Sequence, residues 1–270
     1  MKTSASVVTL TTDFGLADPY VGQMKATLCG LAPTTPIVDL CHELPSHDIR
    51  SAAFVLESSF PYTPANSVHL CVVDPGVGGD RDVLAASCRG HRFLAPDNGA
   101  LDRVVARHPI DAWIRVDADR WRLEQVATTF DGRDLFAPLA AQLLNGVTIE
   151  ALGTAAALPT PDRPQPLLPG EQRSVEIVWV DRFGNLVVDL HRDQLKDGAP
   201  ESLVVQSGDV QISGLRRDYQ APDGRPFAVI GSSGYLEIAC RERSAATTLG
   251  RGVGDSINVA RPGSASTKGS

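Results

Sequence analysis

The sequence predicts an α/β protein in two parts: an N-terminal α/β sandwich-like domain with a mostly parallel sheet, and a smaller C-terminal all-β, barrel-like domain. Three observations predict it. Up to Leu144, short β-branched or apolar runs alternate with stretches of helical spacing, the pattern of parallel strands joined by helices. Between Leu158 and Gly170, five of thirteen residues are proline, too many for a helix or a central strand. Beyond Gly170 the texture changes to short strands, most of them separated by glycine-containing turns, which suits a small barrel or sandwich. The expected boundaries are 1–160 for the α/β domain, 161–170 for a proline-rich linker and 171–262 for the barrel-like domain, with a small, polar, disordered tail over 263–270.

The elements follow in order. Val7 to Thr11 is a β-branched run and the first buried strand. Tyr20 to Leu31 reads as a helix, with Val21, Met24, Lys25 and Leu28 at helical spacing. Pro36 to Leu40 is a second strand. Asp48 then stands as the N-cap of a helix whose apolar positions are Ile49, Ala52, Ala53, Val55 and Leu56. Ser67 to Val73 is a third, strongly apolar strand, and Val83 to Ser87 and Arg92 to Ala95 are two more. Leu101 to Ala106 is helical, Ala112 to Val116 extended, and Leu135 to Leu144 has the Ala and Leu content of a helix. The later strands are Val175–Val180, Leu186–Leu190, Leu203–Val205, Val210–Ile212, Phe227–Ile230, Tyr235–Ala239 and Ile257–Val259.

Composition narrows the partners. With 43% hydrophobic and 21% charged residues, the 270-residue chain is globular in make-up and long enough for a sizeable core. Its 25 Lys and Arg against 32 Asp and Glu give a net charge of −7 without a basic run, so neither a nucleic acid nor a membrane is expected as partner. No apolar stretch approaches the roughly 18 residues of a membrane span, and no export signal precedes the first strand. The five cysteines are widely spaced, mostly in apolar runs, and form no CxxC pair. Neither a disulfide framework nor a metal site is expected, and the expected compartment is cytoplasmic.

Four polar, glycine-marked clusters follow or interrupt strands, where α/β sheets place ligand sites. In Thr11-Thr12-Asp13-Phe14-Gly15, Asp13 at a strand end can accept two hydrogen bonds from a ribose diol; nearby Asp18 can cap the next helix or bind an ammonium group. In Val73-Asp74-Pro75-Gly76-Val77-Gly78-Gly79-Asp80-Arg81 the glycines allow close approach to a ligand, and Asp74 can pair with Arg81 across the loop. This loop lacks the Lys-Ser/Thr of a Walker motif and the GxGxxG spacing, so a nucleoside triphosphate is not indicated. The third cluster joins Ala95-Pro96-Asp97-Asn98-Gly99 with Phe130-Asp131-Gly132-Arg133-Asp134, charges that stand just before a helix. The fourth joins Asp181-Arg182-Phe183-Gly184-Asn185, an aromatic face beside an amide, with Gly231-Ser232-Ser233-Gly234-Tyr235. Taken singly, each is also an ordinary turn, helix cap or surface ion pair.

Together and in this order, TTDFG, VDPGVG, APDNG, FxGRDxFAP, DxFGN and SxGYLEIA resemble the S-adenosylmethionine hydroxide adenosyltransferases (S-adenosylmethionine hydrolases), relatives of fluorinating and chlorinating enzymes. The resemblance runs from Val7 to Val259. It implies homotrimers with the ligand between one subunit's N-domain and a neighbour's C-domain. S-adenosyl-L-methionine would be the substrate, adenosine and methionine the products, with no other cofactor. By motif, Asp13 would hold the ribose hydroxyls, Asp18 the methionine end, Phe183 and Asn185 the adenine, Asp181 the amine and Ser232 the carboxylate. His47 stands where relatives tend to have a larger aromatic near the sugar. Asp74 and Arg81 match two members of an Asp-Arg-His catalytic set. Asp131 stands where the family's FHGRD carries the histidine. Two close carboxylates would either raise one pKa or be bridged by Arg81.

The implied reaction is displacement at the ribose C5′ by water, with methionine leaving as a neutral thioether. No general acid is needed; the water must be oriented and stripped of solvation, by Asp74 with Arg81 and with Asp131 assisting. At position 131, Asn is expected to slow the reaction and His to be tolerated or better. Two alternatives stand beside it. A halogenase is disfavoured because Asp74 and Asp131 would repel a halide and because the stretch from Arg81 to Pro96 has no room for the extra loop of such enzymes. The missing histidine motivates a non-catalytic S-adenosylmethionine- or adenosine-binding protein.

Overall fold

β1 (Val8–Thr12) is buried along its whole length, Val8 and Leu10 on one face and Thr9 and Thr11 on the other. In this computed structural model, which describes residues 6–124, 129–195, 202–220 and 224–263, it opens a unit spanning Met1–Arg163; a second unit spans Pro164–Ser270. α1 (Tyr20–Leu31), β2 (Ile37–Cys41), α2 (Ile49–Ser59), β3 (Val68–Val72), β4 (Val83–Cys88), β5 (His91–Pro96), α3 (Asp102–Arg107), β6 (Ala112–Val116), α4 (Ala118–Trp121), α5 (Ala137–Leu144) and β7 (Gly153–Ala155) complete the first unit.

The seven-stranded sheet has the order β2-β1-β3-β5-β4-β6-β7. β2, β1, β3 and β5 pair in parallel; β4 lies antiparallel between β5 and β6, and β7 closes the edge antiparallel to β6. Five strands, all but β4 and β7, therefore point the same way. One face packs Val8, Leu10, Leu70, Val72 and Leu94 against Met24 and Leu28 of α1 and against Leu139, Ala140 and Leu143 of α5. Asp48 caps α2 as its sequence predicts, accepting from the Ser51 N–H at 3.0 Å. Asp18 does not cap α1: Pro19 holds that position and no side chain caps it. α5 starts at Ala137 rather than Leu135, because a wide π-type turn, Gly132–Phe136, precedes it and Pro138 has no N–H to give to that turn. α4 and β7 were not legible, being too short to show a period.

The opposite face of the sheet carries a polar cluster where apolar residues would be expected. His69 Nδ1 lies 2.8 Å from Thr9 Oγ1, and His69 Nε2 lies 3.2 Å from His91 Nδ1. Phe60 meets His69, His91 and His108 edge-on, and His69 stacks on Phe93 with ring centroids 4.9 Å apart. Burial is the main cause that pushes the His69 pKa down to about 3, with His91 and Arg92 adding to it.

In the second unit, β8 (Glu171–Val180), β9 (Leu186–His191), β10 (Val204–Ser207), β11 (Val210–Ser213), β12 (Leu215–Arg216), β13 (Pro226–Ile230), β14 (Tyr235–Cys240), α6 (Ala245–Leu249) and β15 (Ser256–Arg261) follow. Their order is β11-β10-β15-β8-β9-β14-β13-β12, and β11 also approaches β13, so the sheet is nearly closed into a barrel. β8 makes the corner. Its first six residues pair with β15, its last four with β9, and the register shifts between Ile177 and Trp179. Val175, Ile177, Leu186, Val188, Leu236, Ile238, Ile257 and Val259 fill the interior. The proline-rich stretch forms neither helix nor strand; Leu167 is fully buried and its N–H reaches Gln194 O at 2.7 Å. Apart from Gly263, the expected tail lies outside the described residues.

The His69 geometry sets a pH dependence. The unfolded chain takes up this proton near 6.5, the folded protein only near 3, so stability is fully present above pH 6.5 and is lost as the pH falls towards 3. Urea unfolding of the wild-type protein should weaken between about pH 7.5 and pH 5 by up to about 2 kcal/mol more than that of His69→Gln, which cannot titrate.

Candidate active site

Asp74 stands directly beyond the carboxyl end of β3, two residues after Val72. Its Oδ2 accepts from Arg81 Nε at 2.8 Å and from Arg81 Nη2 at 2.5 Å. The same Nη2 donates to Asp131 Oδ2 at 2.5 Å, and Arg122 Nη1 donates to Asp131 Oδ1. The four side chains alternate in charge and are shielded from solvent, with side-chain exposures of 4% for Asp74, 1% for Asp131, 13% for Arg81 and 21% for Arg122. Of the two outcomes the sequence allowed, Arg81 bridging the carboxylates is the one found. Burial works against the charge on Arg81, yet its hydrogen bonds to Asp74 and Asp131 carry its pKa above the ordinary guanidinium value.

Local structure holds each member. Asn98 Nδ2 donates to Val73 O at 2.9 Å, while its Oδ1 accepts from the Ala100 N–H, so the PDNG turn after β5 is tied to the strand end that presents Asp74. Asp74 Oδ1 meets, among the described residues, only the Gly76 N–H at 3.2 Å. Asp131 opens the π-type turn, and Gly132 after it is tightly surrounded: a Cβ there would sit 3.0 Å from Met24 Sδ and 3.1 Å from the Phe130 ring, closer than either neighbour admits without shifting.

A cavity of about 280 Å³ lies against this cluster, lined by Asp74 and Asp131 together with Phe14, Tyr20, Val77 and Phe130. Phe14, Tyr20 and Phe130 pack edge-to-face, with centroids 5.2 to 5.9 Å apart. Arg133 braces Phe130 from 5.1 Å while pairing with Asp134. Aromatic faces and two carboxylates form a wall suited to a compact cation.

The remaining predicted residues of the first unit are placed differently. Asp13 has a side chain 8% exposed, and its Oδ2 accepts from the His47 N–H at 2.8 Å. His47 thus holds Asp13 chiefly by its backbone, in a left-handed conformation (φ 68°), while its ring is 69% exposed, with Nδ1 3.9 Å from the same oxygen. Asp18 is exposed, and neither it nor Asp13 lines the cavity. Sequence reasoning missed His42, whose Nδ1 meets Thr12 Oγ1 at 2.8 Å and whose carbonyl accepts from Gly15 N–H at 2.8 Å, fixing the loop that carries Asp13 and Phe14. It also missed Arg122, which sits in a stretch with no periodic signal.

In the second unit, Asp181 organises its own loop. Its Oδ1 accepts from the N–H groups of Phe183 and Asn185 at 2.9 and 2.8 Å, and its Oδ2 accepts from Asn185 Nδ2 at 2.8 Å. Gly184 (φ +81°) completes the turn, where a Cβ would lie 2.2 Å from Ser244 Oγ. Asn185 is buried, and the Phe183 ring is 77% exposed. Ser232 is exposed in the turn between β13 and β14, closed by Gly234 N–H to Gly231 O at 3.0 Å. Nearby Glu237 is buried and accepts from Tyr219 Oη at 2.6 Å; burial pushes its carboxyl pKa up.

Asp13, Asp74 and Asn98 all follow the carboxyl ends of parallel strands, the place of small-molecule sites in α/β proteins. The chain belongs to the SAM hydroxide adenosyltransferase family: residues 8–153 match its N-terminal domain and residues 175–258 its C-terminal domain. It is 38% identical to the (R)-S-adenosyl-L-methionine hydrolase of Thermus thermophilus over 88% of this chain and 93% of that protein. With the hydrolase of the same name from Salinispora arenicola the identity is 35%, over 93% of this chain and 97% of the relative. A fluorinase of Nocardia brasiliensis is more distant, at 26% over 94% and 96% of the two chains. Among solved structures, an uncharacterized conserved protein from Thermotoga maritima superposes with a TM-score of 0.85 at 28% identity, covering 94% of this chain and all of the other.

The packing at Gly132 predicts that Gly132→Ala destabilises the protein by about 1–3 kcal/mol in urea unfolding, since Met24 and Phe130 must move to admit the methyl group.

Proposed function

We propose that this chain is an enzyme that hydrolyses S-adenosyl-L-methionine to adenosine and L-methionine. The observation that carries this is the buried Asp74–Arg81–Asp131 cluster facing an aromatic-walled cavity; the named relatives support it. A water oxygen attacks C5′ of the ribose as the C5′–S bond breaks, and the bonding pair leaves with sulfur, turning the sulfonium into the neutral thioether of methionine. The water loses one proton, so no acid is needed at the leaving group. Asp74 Oδ1, the less occupied of its two oxygens, orients this water and accepts the proton. Arg81 holds Asp74 in place, giving two of its N–H groups to Oδ2. Asp131 has both oxygens engaged by arginines and serves to orient Arg81 rather than as the base. The aromatic wall accepts the sulfonium and excludes bulk water.

In this proposal Asp13 binds the ribose diol, Asp18 and Asp181 the methionine amine, Ser232 its carboxylate, and Phe183 and Asn185 the adenine. The second-unit residues come from a neighbouring copy in a homotrimer, as in the family the motifs resemble. No cofactor or metal enters the chemistry. Halide as nucleophile is disfavoured because Asp74 Oδ1 offers an anion at the cavity an acceptor and no donor.

Purified protein incubated with S-adenosylmethionine in ¹⁸O-enriched water should release adenosine and methionine in equal amounts, with the label in the adenosine 5′-hydroxyl. Asp74→Asn should slow this by about a hundredfold or more. Tight binding of S-adenosylmethionine without adenosine release would instead establish a binding protein.

A further inference from the structure

Two carboxylates with almost no exposure, Asp74 and Asp131, converge on one guanidinium, that of Arg81. Taken alone, those three groups carry a net negative charge in a poorly solvated place, and the carboxylates would compete for Arg81. Arg122 changes the balance. It reaches Asp131 from beyond α4, on the side away from Arg81, and takes the carboxylate oxygen that Arg81 leaves. The cluster becomes neutral, and Arg81 is free to give two of its N–H groups to Asp74.

We propose that Arg122 is a positioning residue of this site, neutralising Asp131 so that Arg81 stays committed to Asp74 and Asp74 stays aimed at the cavity. This role rests on the hydrolase function proposed above. Among the described residues, the charged groups that meet Asp131 are Arg81 from the loop after β3 and Arg122 from beyond α4, with Asp74 reached through Arg81; Tyr20 of α1 lines the same cavity. Removing Arg122 leaves two carboxylates on one cation, which favours a proton on one of them at higher pH.

The test is a double-mutant cycle with Arg122→Leu, Asp131→Asn and the two combined, plus Arg122→Lys. Arg122→Leu should lower kcat by about tenfold or more with KM changed far less, and should move the acid limb of the kcat/KM profile to higher pH. Arg122→Lys should recover part of the rate and return the limb towards its original place. The double variant, neutral again, should be at least about tenfold more active than the product of the two single effects. Multiplying single effects, or an acid limb unmoved in Arg122→Leu, would overturn the role. The same four chains unfolded in urea report the coupling without substrate. If the wild-type chain forms no adenosine, the hydrolase function alone falls; the urea cycle then decides, non-additive midpoints supporting the role of Arg122 and additive ones overturning it.

Discussion

Asp74 and Asp131 lie closer to each other's charge than two buried carboxylates can tolerate without cations between and around them, and the strand ends, turns and glycines of the first unit are arranged to supply those cations. Arg81 bridges the pair and Arg122 closes the far side. Stripping one partner from a buried ion pair typically costs about 3–5 kcal/mol, because an uncompensated charge is left behind. Once paired, the cluster is fixed in direction, and the less occupied oxygen of Asp74 is left beside a cavity. A site of this kind accelerates displacement by geometry more than by charge. The sulfonium already carries the driving polarity and loses it as the reaction proceeds, so the gain lies in a water molecule held in line.

The scaffold reflects that demand. Asn98 crosses from the β5 turn to the backbone just before Asp74, Gly132 lets Phe130 and Met24 close on the start of the π-type turn, and His42 ties down the loop bearing Phe14. None of these residues lies in the pairing of the sheet, yet each fixes a loop that would otherwise move. Rigidity is bought by hydrogen bonds to backbone atoms, which tolerate little displacement. The wide turn before α5 serves the same end: it sets Asp131 into the cluster while Pro138 relieves the helix start of a donor it could not satisfy.

The second unit organises its loops with the same economy. The Asp181 carboxylate satisfies two backbone N–H groups and the Asn185 amide, leaving the Phe183 ring outside as a broad exposed face. A residue of this kind is at once a structural turn and a recognition element. The turn-only and ligand-binding interpretations of the DxFGN motif are thus compatible, the first holding the second in place.

The alternation of strands and helices, the Asp48 cap and the shift to short strands after the proline-rich stretch are local properties of the chain, so the sequence by itself determined the two-part α/β and barrel-like architecture and marked Asp13 and Asp74 as polar residues at strand ends, Arg81 in a glycine-rich loop and Asp131 just before a helix. It could not show α4 or β7: α4 is a single turn too short to show a period, and β7 forms by pairing with β6. The pairing of charges belonged to the tertiary structure alone. Arg122 is nine residues from Asp131 and Arg81 is fifty, and no periodicity relates them. Which of them meets which carboxylate, that His47 serves Asp13 through its backbone, and that His69 lies neutral beneath Phe60 follow from burial and distance in three dimensions. Electrostatic energy depends on those quantities and not on separation along the chain.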